Sequence, residues 1–240
     1  MKLHRYYLAD RDLTHNFWMD DERLYHQWTR VLRYEIGREV VLFNDNREVR
    51  LYKIAKIGDN AVHVELVTEL EPKLPEQELY LCFALLKKDK NEWVLQKGTE
   101  LGVSHFVPLI TDRTEKTGWD SERAEKIVIE ATEQCERADI PRLRDPLHVA
   151  KLIEELSGKV DLYIAEEGAS AISSQLSTLQ NTVGVLVGPE GGWSDEEKQL
   201  FKEKGIKHLA LSGFTLRAET AAITAAALFG VGYYPHSEKR

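Results

Sequence analysis

No apolar run in this chain of 240 residues approaches the roughly 18 residues that a membrane-spanning helix needs. The first residues, Met1-Lys2-Leu3-His4-Arg5-Tyr6-Tyr7, lack the apolar core of a signal peptide. Cysteine is scarce. Cys82 and Cys135 stand far apart, with no Cys/His set at metal-ligand spacing. That excludes a disulfide framework and a zinc site, and a cytoplasmic address is the expectation. The phosphate-cradling pattern G-x-x-x-x-G-K-[ST] and the dinucleotide fingerprint G-x-G-x-x-G are both missing. So is any internal repeat or low-complexity tract. Positive charge is in deficit too: the net charge is −8, which argues against a protein that coats nucleic acid non-specifically. One stretch runs the other way. Arg23 to Lys56 holds eight Lys/Arg against four Asp/Glu, a local balance of 8 − 4 = +4.

What is present is the composition of a globular protein, 42% hydrophobic and 30% charged. Up to about residue 70 the pattern is β-rich. Glu39 to Phe43 is a strand candidate, Asn44-Asp45-Asn46 is turn chemistry, and Val49–Ala55 and Ala61–Val67 alternate as half-buried strands do. One helix is expected from about Asp21 to Arg33. Pro72 and Pro75 then mark a boundary, so the expected domains are 1–71 and 76–240. Beyond it, strands alternate with helices. Leu79–Leu86, Phe106–Ile110, Leu162–Ala165, Val183–Val187 and His208–Leu211 are apolar runs. Helices are expected over about Lys90–Leu101 and Ser121–Arg137. Continuous apolar strands are buried on both faces, which predicts a mainly parallel sheet with helices on each side, an α/β fold.

Four segments carry chemistry-bearing residues. Leu186-Val187-Gly188-Pro189-Glu190-Gly191-Gly192-Trp193-Ser194 leaves an apolar run and enters a helix start. Ser194 fits as its N-cap and Glu197 completes a capping box. Leu211-Ser212-Gly213-Phe214-Thr215-Leu216-Arg217 ends a strand and opens the Ala-rich helix that begins Ala218-Glu219-Thr220. Two such loops at consecutive strand ends make one pocket for a small molecule, with Glu190, Arg217 and Glu219 near it. In the third segment, Glu130, Gln134 and Arg137 share a helix face. In the fourth, Lys97 and Glu100 sit one turn apart. Taken singly, the last two read as ordinary surface ion-pair faces.

Taken in order, these segments resemble the signature motifs of the SPOUT class of knotted RNA methyltransferases. The match is to the family of ribosomal RNA small subunit methyltransferase E, and it runs end to end. It rests on Lys97 to Val103 (K-x-T-E-L-G-V), Glu133 to Pro141 (E-Q-x-x-R-x-x-x-P), Gly188 to Trp193 (G-P-E-G-G-W) and Leu216 to Ala221 (L-R-x-E-T-A). His26 and Val31-Leu32-Arg33 match an element of the family's RNA-binding module. Ser212, Phe214, Thr215 and Gly98 depart from the usual residues.

The resemblance implies an N-terminal PUA-like β-barrel and a C-terminal SPOUT α/β domain with a deep trefoil knot, assembled as a homodimer. It implies transfer of a methyl group from S-adenosylmethionine to N3 of a uridine in 16S rRNA of the small ribosomal subunit. On this reading Ala165, Gly188, Glu190, Gly191, Gly192, Leu211, Ser212, Leu216 and Thr220 hold the cofactor, with Glu166-Glu167-Gly168 as a third wall. Uracil N3 must lose a proton to become a nucleophile. Glu219 is the candidate base, and Arg217 or Arg137 the stabiliser of the uracil anion. Arg5, Arg30, Arg33 and Lys97 are the candidate RNA contacts. A SPOUT ribose 2′-O-methyltransferase and a non-catalytic RNA-binding module are the alternatives.

Overall fold

The computed structural model describes residues 3–115, 118–169 and 182–230. The chain divides into two compact units. The first comprises Met1–Leu74 with Thr132–Ile140, the second Pro75–Ala131 with Pro141–Arg240. The segment Thr132–Ile140 thus groups with the first unit, although a stretch running from 76 to the end was expected to form one domain.

The first unit is a five-stranded sheet of β1 (Arg5–Tyr7), β2 (Asn16–Met19), β3 (Glu39–Phe43), β4 (Val49–Ile57) and β5 (Val62–Leu70). Its order is β1-β3-β4-β5-β2. β1 runs parallel to β3 and the other pairs are antiparallel. The alternation read in β4 and β5 has its expected cause: Tyr52, Ile54, Val62 and Val64 are buried, while Lys53 and Glu65 are exposed. The expected helix forms over Glu22–Val31 but changes type midway. α1 (Glu22–His26) is capped by Asp21, whose side chain accepts from the Leu24 N–H, and it runs on into a single π turn, Gln27–Val31. That wider turn carries Trp28 into the core, fully buried against Tyr6 at 5.3 Å. Arg33 follows at φ 50, a left-handed conformation uncommon outside glycine. β1 and β2 were not foreseen, because three- and four-residue strands give too short a pattern to read.

The second unit opens with β6 (Glu78–Ala84), α2 (Lys88–Glu100), β7 (His105–Ile110) and α3 (Ser121–Cys135), whose last turn, from Thr132, groups with the first unit. β8 (Arg142–Leu143), β9 (Leu147–His148), α4 (Val149–Leu156), β10 (Asp161–Ala165) and β11 (Thr182–Val187) follow. α5 (Asp195–Glu203), β12 (Lys207–Leu209) and α6 (Ala218–Gly230) complete it. The sheet order is β12-β10-β11-β6-β7-β8, with β9 also on β7, and every pair is parallel. The apolar strands are therefore central strands of a parallel sheet. Their side chains fill a core that includes Val107, Ile164, Leu186 and Phe201. Each such side chain contributes about 1.5–3 kcal/mol by leaving water. Cys82 lies fully inside this sheet, and burial pushes its thiol far up, so it behaves as a small apolar residue. Among the described residues there is no group of His, Cys, Asp and Glu that could hold a metal. Nor is any described helix long and apolar enough to cross a membrane.

Candidate active site

β10, β11 and β12 run parallel and side by side, so their carboxyl ends open on the same edge of the sheet. In open parallel sheets that edge is where ligands bind. Here the loops leaving the three strands enclose a cleft of about 410 Å³, within the ~300–1,000 Å³ range of small-molecule sites. Ala165, Gly188, Glu190 and Gly192 line it, as do Leu211, Ser212, Leu216 and Arg217. The structure thus brings eight of the nominated residues together from three separate segments. The third wall is present too: Glu166 and Glu167 line the cleft. Thr215 Oγ1 donates to Glu167 Oε1 at 2.8 Å, which ties that wall to the loop opposite.

Local chemistry explains the Gly188–Ser194 loop. A Cβ on Gly188 would stand 3.0 Å from the Trp193 indole, which itself packs edge-on to Phe201 at 5.1 Å. Gly192 sits at φ 71, where a side chain would be strained. The capping box forms: Ser194 Oγ accepts from the Glu197 N–H, and Glu197 accepts from the Ser194 N–H. The other oxygen of Glu197 accepts from the Asp112 N–H at 3.1 Å. The loop is therefore fixed at its helix end and against the segment after β7.

Of the residues nominated for the cofactor or the chemistry, four do not line the cleft: Gly191, Thr220, Glu219 and Arg137. Gly191 turns its carbonyl to Arg113 Nη1 at 2.8 Å. Thr220 is exposed on α6. Glu219, the expected base, is buried and faces a residue that sequence reading missed. Lys90 Nζ lies 3.0 Å from Glu190 Oε1 and 3.0 Å from Glu219 Oε2. The Glu219 contact is a close ion pair off the hydrogen-bond direction, since Oε2 makes no hydrogen bond. One ammonium from α2 thus grips both cofactor-side segments. The hydrogen bond to Glu190, then the contact with Glu219, raises the pKa of Lys90 above its ordinary value. Glu190 is held below its own. Burial opposes this, but its backbone N–H, Lys90 and the charge of Lys87 outweigh it. The pairing of Lys90 has no signature in spacing, because its partners lie about 100 and 130 residues away.

The remaining nominations separate. Arg137 is buried in the first unit, and its guanidinium forks onto Asp139 at 3.0 and 2.8 Å; it is not a cleft residue. Arg5 is also an interior group. Its side chain is 9% exposed and lies 3.8 Å from Glu136. Burial lowers its pKa, partly offset by Glu136. Lys97 is paired with Glu100 at 2.9 and 3.0 Å. Arg30 and Arg33 are exposed.

Residues 72–230 match the model of an RNA methyltransferase domain, and residues 29–67 that of an RNA methyltransferase PUA domain. The ribosomal RNA small subunit methyltransferase E of Rickettsia conorii is 33% identical over 95% of each chain. That of Aquifex aeolicus is 32% identical over 81% of this chain and 86% of its own. Among solved structures, a methyltransferase from Legionella pneumophila with bound SAM shares 30% identity and a TM-score of 0.83, over 95% of this chain and 96% of that one. The ribosomal RNA small subunit methyltransferase E of Neisseria gonorrhoeae, bound to S-adenosyl methionine, shares the fold with a TM-score of 0.86 at 24% identity, over 94% and 96% of the two chains. Both matched domains are those of RNA methyltransferases, and the chain belongs to the ribosomal RNA small subunit methyltransferase E family.

Proposed function

We propose that this protein transfers a methyl group from S-adenosylmethionine to N3 of a uridine in 16S rRNA of the small ribosomal subunit. The observation that carries the reading is the cleft at the ends of β10–β12, with Glu190 and Glu219 gripped by Lys90 and Arg217 free to reach a substrate. The residues fit the cofactor. The loops after β11 and β12 line the cleft and leave the regular ladder, so their backbone N–H and C=O groups are available for adenine and ribose recognition. Glu166, Glu167 and Glu190 favour a cation there. When bound, the cofactor supplies a sulfonium methyl that a nucleophile can take, leaving the sulfur its electron pair.

The chain's own residues do the rest. Arg217, on the cleft surface, neutralises the negative charge that develops on the uracil oxygens. Glu190, the carboxylate that the cleft exposes and that Lys90 keeps ionised, takes the N3 proton only in passing and hands it to solvent, since the lysine makes it a weak base. Glu219, buried behind it, is an anchor for Lys90 and not the base. Alignment of N3 with the methyl carries much of the rate. On the RNA side, Arg30 and Arg33 contact phosphates.

The same reading includes the trefoil knot, which is supported by α6 packing on α2 and β6. At that crossing a Cβ on Gly230 would fall 2.1 Å from the Leu101 carbonyl oxygen, so only glycine fits. It also includes a homodimer in the cytoplasm, for which Trp93, 59% exposed on α2, gives an apolar anchor.

Tritiated methyl transfer to 16S rRNA and to intact small subunits, with mass-spectrometric mapping of the methylated atom, tests the reading. Methyl at uracil N3 is expected. Methyl on a ribose 2′-oxygen sinks it. Arg217→Ala and Glu190→Gln are each expected to lower kcat by roughly 100-fold or more, while calorimetric cofactor affinity stays within a few-fold. Full activity in either variant removes that residue's role.

A further inference from the structure

A second cavity, of about 470 Å³, lies in the same unit and is not part of the cofactor cleft. Leu86, where the chain leaves β6, and Leu95 of α2 form its floor with Ile127 of α3. Trp119, in the segment leading into α3, forms a side wall, tilted by 58° to Phe83 at 6.5 Å. Asn91, buried, also lines it: its side chain accepts from the Leu86 N–H at 2.9 Å and donates to the Leu86 carbonyl at 3.0 Å. The rim is charged. Arg123 is held flat by two 3.2 Å contacts with Glu92, and Lys87 is exposed.

The first turns of α2 connect this cavity with the cofactor cleft. Lys87 and Asn91 line the cavity, and Lys90 between them grips Glu190 and Glu219. The charge of Lys87 also acts on the Glu190 carboxylate. A site that shares α2 with the cofactor cleft, lined by aliphatic side chains and one indole and edged by mixed charge, Lys87 and Arg123 against Glu92 and Asp120, has the chemistry for a flat heteroaromatic ring. The reaction needs such a place. N3 lies on the pairing edge of uracil, so the acceptor must be unpaired and unstacked, and bases lifted out of a stack must be held elsewhere. Aromatic stacking holds a base without regard to its sequence.

We propose that the cavity walled by Trp119 holds an unstacked nucleobase of the substrate RNA. The inference rests on the proposed activity, and the test separates the two. A fragment of 16S rRNA carrying 5-iodouridine, at the acceptor in one arm and at each neighbouring nucleotide in others, is irradiated with the full-length protein, and the adducts are mapped to peptides. An adduct on Trp119 is expected. The arm that gives it says whether the acceptor itself or its neighbour occupies the cavity. Adducts confined to other residues overturn the proposal.

In parallel, Trp119→Ala is expected to raise KM for the RNA by roughly 10- to 100-fold, with cofactor affinity unchanged and Trp119→Phe restoring most of the loss. An unchanged KM also overturns it. If Trp119→Ala loses cofactor binding because the unit is disturbed, the adduct map on the native protein decides. Failure of the wild-type protein to methylate any rRNA, with a Trp119 adduct still formed, removes the proposed reaction and leaves the cavity's occupant standing.

Discussion

β4 in the first unit and β11 in the second are both central in their sheets, yet they bury different fractions of themselves. β4 alternates: Tyr52 and Ile54 are inside and Lys53 is outside. β11 buries every residue from Val183 to Val187. A sheet with one wet face can present side chains to a partner along its length. A parallel sheet covered on both faces can offer only its ends. That difference places the two kinds of work. The exposed arginines of the first unit stand on its surface beside a π turn. The acids and bases of the second converge where β10, β11 and β12 stop, and there one lysine can order two loops.

The largest loss should come from emptying the first unit's core. Trp28 is fully buried, touches Tyr6 and Tyr34, and hangs from the π turn. Trp28→Ala is expected to destabilise that unit by about 3–5 kcal/mol and to abolish RNA binding. Calorimetric cofactor affinity should remain within about twofold, because the cleft draws on no residue of that core. Urea unfolding followed by circular dichroism, with cofactor titration alongside, checks this. A parallel collapse of cofactor affinity would show that the two cores are one cooperative system.

A smaller effect sharpens the second unit's side. Lys90→Met removes the ammonium shared by Glu190 and Glu219. Cofactor affinity should fall roughly tenfold, the order expected for leaving partly buried carboxylates unpaired, and Lys90→Arg should recover most of it. The pH dependence follows from the shifts. Glu190 is depressed below 4.5, so its contribution is present above about that pH and is lost as pH falls through the depressed value. Lys90 is raised above 10.5, so its contribution is present below that pH and is lost as pH rises through the raised value. Between these limits neither group changes charge, so neither should bend the wild-type profile. Lys90→Met should lose the alkaline limb. An alkaline limb that persists in the variant would assign it to another group.

What sequence reading recovers here is what is local. The capping box of Ser194 and Glu197, the parallel apolar strands and the loops that make the cleft all follow from neighbours within a few residues. What it misses is contact made at a distance. Lys90 is one charge in an ordinary helix turn until Glu190 and Glu219 come to meet it. Arg5 and Arg137 look like surface cations until Glu136 and Asp139 engage them inside the first unit. Glu219 illustrates the middle case. Its placement beside the cofactor loops is legible from the L-R-x-E-T-A motif, but its role is not, because burial and a partner decide whether a carboxylate acts or anchors. The expected helix from about 21 to 33 forms over Glu22–Val31, but its second half is a π turn, which apolar spacing does not reveal.

The smallest expected effect concerns which arginines meet RNA, and it depends on salt rather than on affinity at one condition. A phosphate contact releases counterions, so each one lost flattens the dependence of log K on log salt by about 0.7 to 0.9. Arg30 and Arg33 are exposed, and replacing both with alanine should flatten the slope for 16S rRNA by about 1.5 while leaving stability near wild type. Arg5→Ala should do the opposite. Its side chain is inside, while that of Glu136 is 42% exposed and keeps Lys73 at 2.8 Å, so its loss removes the packing of a buried stem and lowers stability, with the salt slope unchanged. Fluorescence anisotropy across a salt series, set against thermal melts, reads both quantities. A flattened slope for Arg5→Ala would mean that the side chain leaves the interior when RNA binds. The separation between the surface that recognises RNA and the groups that hold the first unit together would then be a property of the free protein alone.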